Sequence, residues 1–171
     1  MKPAFKLALA SAVLVAASSF DALGQQKAGL QKQLVGQWSL VSFEVVDPKG
    51  KKQPGVEGAD PKGFLVFTDN GRFSLQIISA IPKFAKDRLI TTPQENKAVA
   101  QGILSYFGTY SVNEADKSFA LKVERSSYPN QNGLDLKRII QSLSADELRY
   151  NNPGRIGSAG GQNNVVWKRV K

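Results

Sequence analysis

The stretch that decides the fold is LVGQWSLVSFE, residues 34–44. It carries the step Gly36-Gln37-Trp38 and continues as a mostly apolar run to Val46, without a signal for a helix. Such a run is typical of a β-strand. It therefore predicts the first strand of an all-β body, and a strand of this length needs several neighbours to pair with it.

The segment before this strand, residues 1–24, has the pattern of an export signal. Lys2 and Lys6 form a basic start, an apolar run follows over residues 7–17, and Ala22 and Gly24 stand at the −3 and −1 positions of a cleavage site. The apolar run is shorter than the roughly 20 residues of a membrane-spanning helix. We expect cleavage after Gly24 and a periplasmic or secreted protein without stable membrane insertion; a retained anchor is the alternative.

The chain then divides into a spacer and one domain. Residues 25–33 are rich in Gln and Lys and are expected to form a polar spacer or a single helical turn at the barrel end. Residues 34–171 are expected to form one domain, a size that suits a single core.

The composition excludes several kinds of site. The chain has no Cys and no His, which rules out disulfides, Cys/His zinc sites, Cys nucleophiles and Ser-His-Asp triads. We expect no metal and no cofactor, and an enzyme becomes less favoured without being excluded. The formal net charge of +9 favours anionic partners, but no dense basic cluster interleaved with aromatics indicates nucleic acid.

Alternation of apolar and polar residues continues the β pattern to the end of the chain. Asp69-Asn70-Gly71 is the clearest hairpin turn, because Asn-Gly readily adopts the positive φ angles of tight turns. The predicted strands cover residues 34–46, 63–68, 72–78, 106–112, 118–125, 134–143, 147–150 and 164–170. Residues 51–62 are predicted to be a loop.

One helix interrupts the strands. Thr92 as N-cap, Pro93 at the first position and Glu95 at the third predict a capped helix over residues 93–104. A helix inside a long connection, between strands otherwise joined by tight turns, is where a lid or end-plug is expected.

About eight antiparallel strands in sequence favour an up-and-down β-barrel with one helix-bearing connection, because closure removes exposed strand edges. A flat sandwich is the alternative. A barrel of this strand number is either filled by side chains or holds one small ligand.

The chain resembles the bacterial lipocalin-like domain family. The matching segments, which span nearly the whole predicted domain, are LVGQWSLVSFE, PKGFLVFTDNGRFSLQI, TPQENKAVAQGILSYFGTYSVNEADKSFALKVERSSYPN and NVVWKR. The hairpin and the Tyr-Phe-Gly-Thr-Tyr strand are more specific than the Gly-x-Trp step. The family is defined by its fold, and the activities of its members are mostly unassigned.

The resemblance implies a structural floor. In wider lipocalins the Gly-x-Trp tryptophan packs at the closed end beside an arginine of the last strand. Here Gly36 and Trp38 match the first part, and Arg169 or Arg149 matches the second. A His that is frequent in the family's strand equivalent to residues 118–125 is missing from this chain, which argues against His-assisted chemistry in this member.

Six side chains on strand faces are candidate ligand contacts. Tyr106, Tyr110, Arg138 and Tyr150 place polar tips on faces that also carry apolar residues, and Arg138 could grip a ligand carboxylate. Alternatively, the tyrosines pack with hydroxyls at the rim and a neighbouring acid satisfies Arg138.

Ser42 and Glu44 are predicted to share the Trp38 face of the first strand. Inside the barrel Glu44 would need a cationic partner such as Arg138; it could equally lie beyond the barrel end in solvent.

Three functions fit these patterns. The leading hypothesis is an exported lipocalin-like protein that binds a small hydrophobic or amphipathic, possibly anionic, ligand inside the barrel. The second is a cofactor-free isomerase, cyclase or hydrolase that uses tyrosine, glutamate and arginine in the same cavity. The third is an envelope interaction module with a basic surface. The sequence does not indicate an oligomeric state.

Overall fold

The computed structural model describes residues 29–54, 60–153 and 161–171. The expected signal peptide, its cleavage site and residues 25–28 of the spacer lie outside the described residues, as do parts of two connections, residues 55–59 and 154–160.

Within these ranges the chain is almost entirely β-structure. The helices are α1 (Leu30–Leu34) and α2 (Pro93–Gly102), and Pro129–Gln131 forms a 3-10 turn. The strands are β1 (Gly36–Val46), β2 (Lys52–Pro54), β3 (Lys62–Phe67), β4 (Arg72–Ile78), β5 (Ile103–Asn113), β6 (Ser118–Ser126), β7 (Asp135–Leu143), β8 (Glu147–Asn152) and β9 (Gln162–Arg169).

Eight of these strands form a closed antiparallel up-and-down barrel. From β3 to β9 each strand pairs with the next, β3 also pairs with β1, and β1 pairs with β9 to close the ring. Trp38 opposite Arg169 marks one end of the closing ladder, and Val46 opposite Gln162 marks the other. The predicted barrel is confirmed, and closure excludes the sandwich alternative.

β2 is the strand that the sequence did not predict. It pairs only with the last residues of β1, with Pro54 opposite Glu44 and Lys52 opposite Val46. Because β2 is an edge strand, its proline does not have to donate to a neighbour. Gly and Pro in this region therefore mark a short hairpin extension inside the predicted loop.

The first strand begins two residues later than predicted. Leu34 is the last residue of α1 and is fully buried. Because Leu34 is itself apolar and stands directly before an apolar strand, the sequence pattern does not show that a helix ends there. The break lies at Gly36, whose φ of 131° is accessible to glycine and rarely to other residues.

α2 has the predicted start and a shorter end. The Thr92 hydroxyl accepts a hydrogen bond from the Glu95 amide at 3.2 Å, and the Glu95 carboxylate accepts one from the Thr92 amide at 2.7 Å. This confirms the capping box. The helix ends at Gly102 because Ile103 pairs with Ile78 and starts β5.

Three register shifts in the barrel ladders change which side chains face inward, and one of them lies between Phe107 and Gly108 where β5 pairs with β6. In β1 the register shifts between Leu40 and Ser42, and in β7 it shifts between Ile140 and Ser142. Each bulge adds one residue, so the alternation is reset beyond it. In β1 the extra residue is Val41, which is 61% exposed, and Phe43 takes the next buried position.

The barrel interior is packed with apolar and aromatic side chains. Edge-to-face contacts link Phe67 to Tyr110 and Phe119, and Phe119 to Tyr150. A further contact of this kind joins Phe73 to Tyr106. The remaining fully buried residues include Leu65, Leu75, Ile77, Leu121, Val123, Leu148, Val165 and Trp167.

The two ends of the barrel differ. We call the end covered by α1 the closed end, where the Leu30 amide donates to the Glu114 carboxylate at 2.6 Å. We call the opposite end the loop end, where the connections 47–51, 79–92 and 127–134 lie. No helix among the described residues is long and apolar enough to cross a membrane.

Candidate functional site

The closed end is built around a cation stacked on an indole. The Arg169 guanidinium carbon lies 4.0 Å from the Trp38 ring centroid, and the Trp38 indole N–H donates to the Leu34 carbonyl at 2.9 Å. Arg169 also donates to the carbonyls of Val35, Gln33 and Ala145 at 2.7, 2.6 and 2.5 Å. One arginine therefore joins α1, the start of β1 and the turn between β7 and β8.

Of the two arginines considered for this floor, only Arg169 contacts Trp38. Arg149 lies outside the barrel, where its Nε donates to the Glu147 carboxylate at 2.6 Å. Arg149 is exposed because it alternates with Leu148 and Tyr150, both of which are buried. The prediction of Arg149 as a floor residue is wrong.

Tyr110 also lies at the closed end. Its hydroxyl donates to the Thr68 carbonyl at 2.9 Å, and its ring packs edge-on against Phe67. Burial, with the nearby Asp69 carboxylate, raises the pKa of Tyr110, and a hydrogen bond with Gln31 of α1 opposes the rise. The structure thus separates Tyr110 from the other predicted ligand residues.

The most unusual buried group in the barrel is the Arg138 side chain. Arg138 is 7% exposed and lies on β7 opposite Phe119. Its Nη1 donates to the Lys137 carbonyl at 2.8 Å and its Nη2 to the Tyr106 hydroxyl at 3.2 Å, while Nε has no hydrogen-bond partner. The arginine thus remains incompletely satisfied.

No carboxylate among the described residues neutralises Arg138. The ion pairs between these residues join other side chains. In the described part of the barrel, Arg138 is therefore not satisfied by a neighbouring acid, contrary to the alternative given above. An arginine buried without a counter-charge is energetically unfavourable, which makes Arg138 a candidate binding group for an anion.

Two tyrosines lie next to this arginine, and a tryptophan lies near one of them, Tyr150. Burial raises the pKa of Tyr150 well above its ordinary value, and the nearby Tyr106 adds to the rise, while Arg138 and Trp167 act in the opposite direction. The Trp167 indole N–H lies near Tyr150 but makes no hydrogen bond, so it is an unused donor.

Two asparagines were missed by the sequence analysis. Asn163 of β9 is 7% exposed and pairs with Asn152 of β8, and the side-chain oxygens of both are buried without a partner. Asn163 alternates in step with the buried Val165 and Trp167, and this spacing was the available signal. Asparagines beside a Gly-rich segment resemble loop residues, so the predicted strand began two residues too late.

Ser42 and Glu44 do not face the barrel interior. The bulge at Val41 places Phe43 inside and turns its two neighbours outward. The Glu44 carboxylate pairs with the Lys52 ammonium at 3.1 Å, with 39% of its side chain exposed. The prediction that these residues share the Trp38 face is wrong, because it assumed unbroken alternation along β1.

The structure brings three of the predicted residues together. Tyr106, Arg138 and Tyr150 lie together in the interior, and Trp167 lies near Tyr150. Asn152 of β8 and Asn163 of β9 also carry buried polar atoms without a partner. The described residues contain no cluster of three or more side chains suited to a metal ion. The unused donors on Arg138 and Trp167 suit an acceptor or an anion.

Comparison with protein families matches residues 35–170 to the lipocalin-like domain model. The chain belongs to the lipocalin-like domain family. The matched range runs from the residue before β1 to the residue after β9, so membership covers the entire barrel.

Two solved structures resemble this lipocalin-like barrel. A lipocalin-like protein from Bacteroides uniformis ATCC 8492 has 14% sequence identity and a TM-score of 0.45, with 81% of this chain and 99% of that chain covered. A redesigned β-barrel has 9% identity and a TM-score of 0.43, covering 85% of this chain and 98% of that one. No curated protein matched the chain.

Proposed function

We propose that this lipocalin-like protein binds a small amphipathic ligand inside its barrel and that Arg138 holds the anionic head group. The observation that supports this function is the burial of Arg138, 7% exposed, without a carboxylate partner among the described residues. Residues 1–24 support export, so we propose that binding takes place in the periplasm or outside the cell.

The guanidinium offers one edge to such a head group. Nε is unpaired, and Nη2 on the same edge makes only a hydrogen bond of 3.2 Å to Tyr106. A carboxylate bound side-on to this edge would accept two parallel hydrogen bonds and supply the missing negative charge. A ligand anion would therefore supply both the hydrogen-bond acceptors and the negative charge that Arg138 lacks.

The tyrosines nearby can assist as neutral donors. The Tyr150 hydroxyl is protonated at neutral pH, because the ordinary pKa of tyrosine is about 10 and burial raises it further. A protonated hydroxyl can donate to an anion, whereas a phenolate would repel it. Phe119 and Ile140, buried on β6 and β7, make the surroundings of Arg138 apolar.

The catalytic alternative requires tyrosine, glutamate and arginine in one cavity. Its glutamate, Glu44, pairs with Lys52 outside the barrel and is therefore not available in the interior. The buried polar and charged residues of the described part are Ser118, Arg138 and Asn163, none of which is a carboxylic acid. This arrangement favours binding over proton abstraction by a carboxylate.

The proposal predicts selective binding of acids. A fluorescent long-chain carboxylic acid and its methyl ester are titrated into the protein and into Arg138→Gln. A hydrogen bond to a charged group contributes about 1.5–3 kcal/mol, so Arg138→Gln should weaken acid binding about 10- to 150-fold and leave ester binding nearly unchanged.

The matched control is Arg125→Gln, which removes the same charge from an exposed position on β6. It should leave binding of the acid unchanged. Thermal melts of both variants establish that they are folded. Equal affinity of Arg138→Gln and the parent for the acid, or no preference of the parent for acid over ester, would refute the role of Arg138.

A further inference from the structure

The loop end carries the two most exposed large apolar side chains of the described residues. Leu89 is 88% exposed and Ile90 is 63% exposed, side by side in the connection 79–92 between β4 and α2. Single exposed apolar residues are common on protein surfaces, but an adjacent pair at the tip of a connection exposes a continuous apolar surface.

Hydrogen bonds hold this tip in a defined turn. The Asp87 carboxylate accepts a hydrogen bond from the Leu89 amide at 2.9 Å, and the Asp87 carbonyl accepts one from the Ile90 amide at 2.8 Å. The Ala85 amide donates to the Glu95 carboxylate of α2 at 2.7 Å. The connection is thereby tied to the helix, and the turn presents Leu89 and Ile90 to solvent.

Cations surround the apolar tip. Lys83, Lys86 and Arg88 lie within six residues of Leu89, all exposed, and none of them takes part in an ion pair between described residues. Asp87 is the only acid within residues 79–92. Three basic residues and one acidic residue leave the segment with a formal charge of +2.

A second exposed apolar pair lies at the same end. Tyr128 is 55% exposed and Leu134 is 47% exposed, both in the connection between β6 and β7. The Ser127 amide donates to the Ser105 carbonyl at 2.7 Å, which attaches this connection to the start of β5, directly after α2. The exposed apolar side chains of the loop end thus come from two connections.

We propose that the tip formed by residues 83–90 binds the surface of a bilayer that contains anionic lipid. Leu89 and Ile90 enter the boundary between head groups and acyl chains, and Lys83, Lys86 and Arg88 contact the anionic head groups. Tyrosine is frequent at this depth because its ring is apolar and its hydroxyl is polar, which fits Tyr128.

Charge is the reason for preferring a bilayer to a protein partner. Lysine is depleted from protein–protein interfaces, whereas lysine next to inserted aliphatic residues is typical of membrane-surface segments. The membrane contact is independent of Arg138, because it uses exposed residues of the loop end and no group of the interior site.

The test uses the full chain and a probe placed at the tip. Trp38 and Trp167 are fully buried, so the indole introduced by Leu89→Trp reports solvent exposure of the tip against a constant background. Vesicles of phosphatidylcholine, with and without phosphatidylglycerol, are added. We expect a shift of emission to shorter wavelength, and quenching by brominated acyl chains, only when phosphatidylglycerol is present.

Two control comparisons make the test specific. Val41→Trp places the probe at a side chain that is 61% exposed on the barrel wall, and its emission should not shift. Adding Lys83→Gln and Lys86→Gln to the tip probe should lower the partition coefficient about fivefold for each cation. Lys122→Gln with Lys168→Gln, which removes two exposed lysines elsewhere, should have no such effect.

Three results would overturn the proposal. The emission of Leu89→Trp could remain unchanged with every vesicle, whether or not the chain binds them through another segment. It could shift equally with and without phosphatidylglycerol. The two pairs of lysine substitutions could also lower partitioning to the same extent, which would assign the effect to overall charge.

Discussion

Arg169 shows how a single residue can serve several elements. It stacks on Trp38 and donates to the carbonyls of Val35, Gln33 and Ala145. Charged donors make stronger hydrogen bonds than neutral ones, and a cation over an indole adds about 0.5–2 kcal/mol depending on its desolvation. The packing of the Gly-x-Trp step at the closed end thus depends on Arg169 of the last strand, and the position of Arg169 depends on Trp38.

The role of Gly36 in this arrangement can be tested with Gly36→Ala. A Cβ at this position would lie 2.5 Å from the Arg169 Nη1, and the backbone φ of 131° is unfavourable for alanine. Backbone strain of this kind costs of order 1–3 kcal/mol, and displacement of Arg169 adds to it. We expect a clear fall in the free energy of unfolding, measured by denaturant titration.

Gly50→Ala is the matched control. Gly50 also has a positive φ, 81°, but a Cβ there would meet nothing within 4 Å. Its substitution should therefore carry the backbone penalty alone. A loss of stability in Gly36→Ala no larger than that in Gly50→Ala would show that contact with Arg169 is unimportant.

At the scale of elements, the start of α2 is specified by residues that are close in sequence. Its cap uses Thr92 and Glu95, which lie three residues apart, so no distant contact is needed to specify it. The same carboxylate also accepts a hydrogen bond from Ala85 and so connects the cap to the tip of residues 83–90. The helix start therefore holds the connection that carries Leu89.

This cap should depend on pH. Hydrogen bonds from the Thr92 and Ala85 amides, and then from the Thr92 hydroxyl, lower the pKa of Glu95 below its ordinary value of 4.5. A carboxyl whose pKa is lower in the folded state stabilises that state above pH 4.5. This stabilisation disappears as the pH falls through the lowered value.

We expect amide hydrogen exchange in α2 and in residues 83–90 to accelerate in this acidic range. Glu95→Gln keeps a capping side chain that does not titrate, so its exchange should lack this pH-dependent step. A Glu95 titration midpoint at or above 4.5 in the parent, measured by NMR, would contradict the assignment.

At the scale of the whole molecule, ring closure links the two ends of the domain. β9 pairs with β8 on one side and with β1 on the other. Trp167 lies opposite Leu40 in one ladder and Leu148 in the other. Removing the strand would therefore expose two open edges and the apolar interior.

A chain that ends before Gln162 should consequently fail to form a stable monomer. Open strand edges promote edge-to-edge association, so we expect aggregation, seen as early elution or precipitation in size-exclusion chromatography. A chain that lacks only Val170 and Lys171 keeps all of β9 and should remain folded. A stable, monomeric chain without β9 would show that closure is dispensable.

Prediction from sequence succeeded where the signal was local or strictly alternating. The capping box of α2 and the inward position of Arg138 follow from such patterns. It failed at Ser42 and Glu44, because a bulge at Val41 leaves no clear mark in a run of apolar residues. It also missed Asn163, because asparagine beside a Gly-rich segment is more typical of a loop than of a barrel interior.

The sequence by itself determined that this chain would be a β-barrel of about eight strands with one capped helix. Alternation, turns and helix caps each depend on only a few neighbouring residues, so the sequence specifies them locally. The tertiary structure decided which partners meet. Trp38 and Arg169 are brought together only by closure of the ring. Arg138 lacks a carboxylate partner among the described residues, which depends on the register and bulges of strands far apart in the chain.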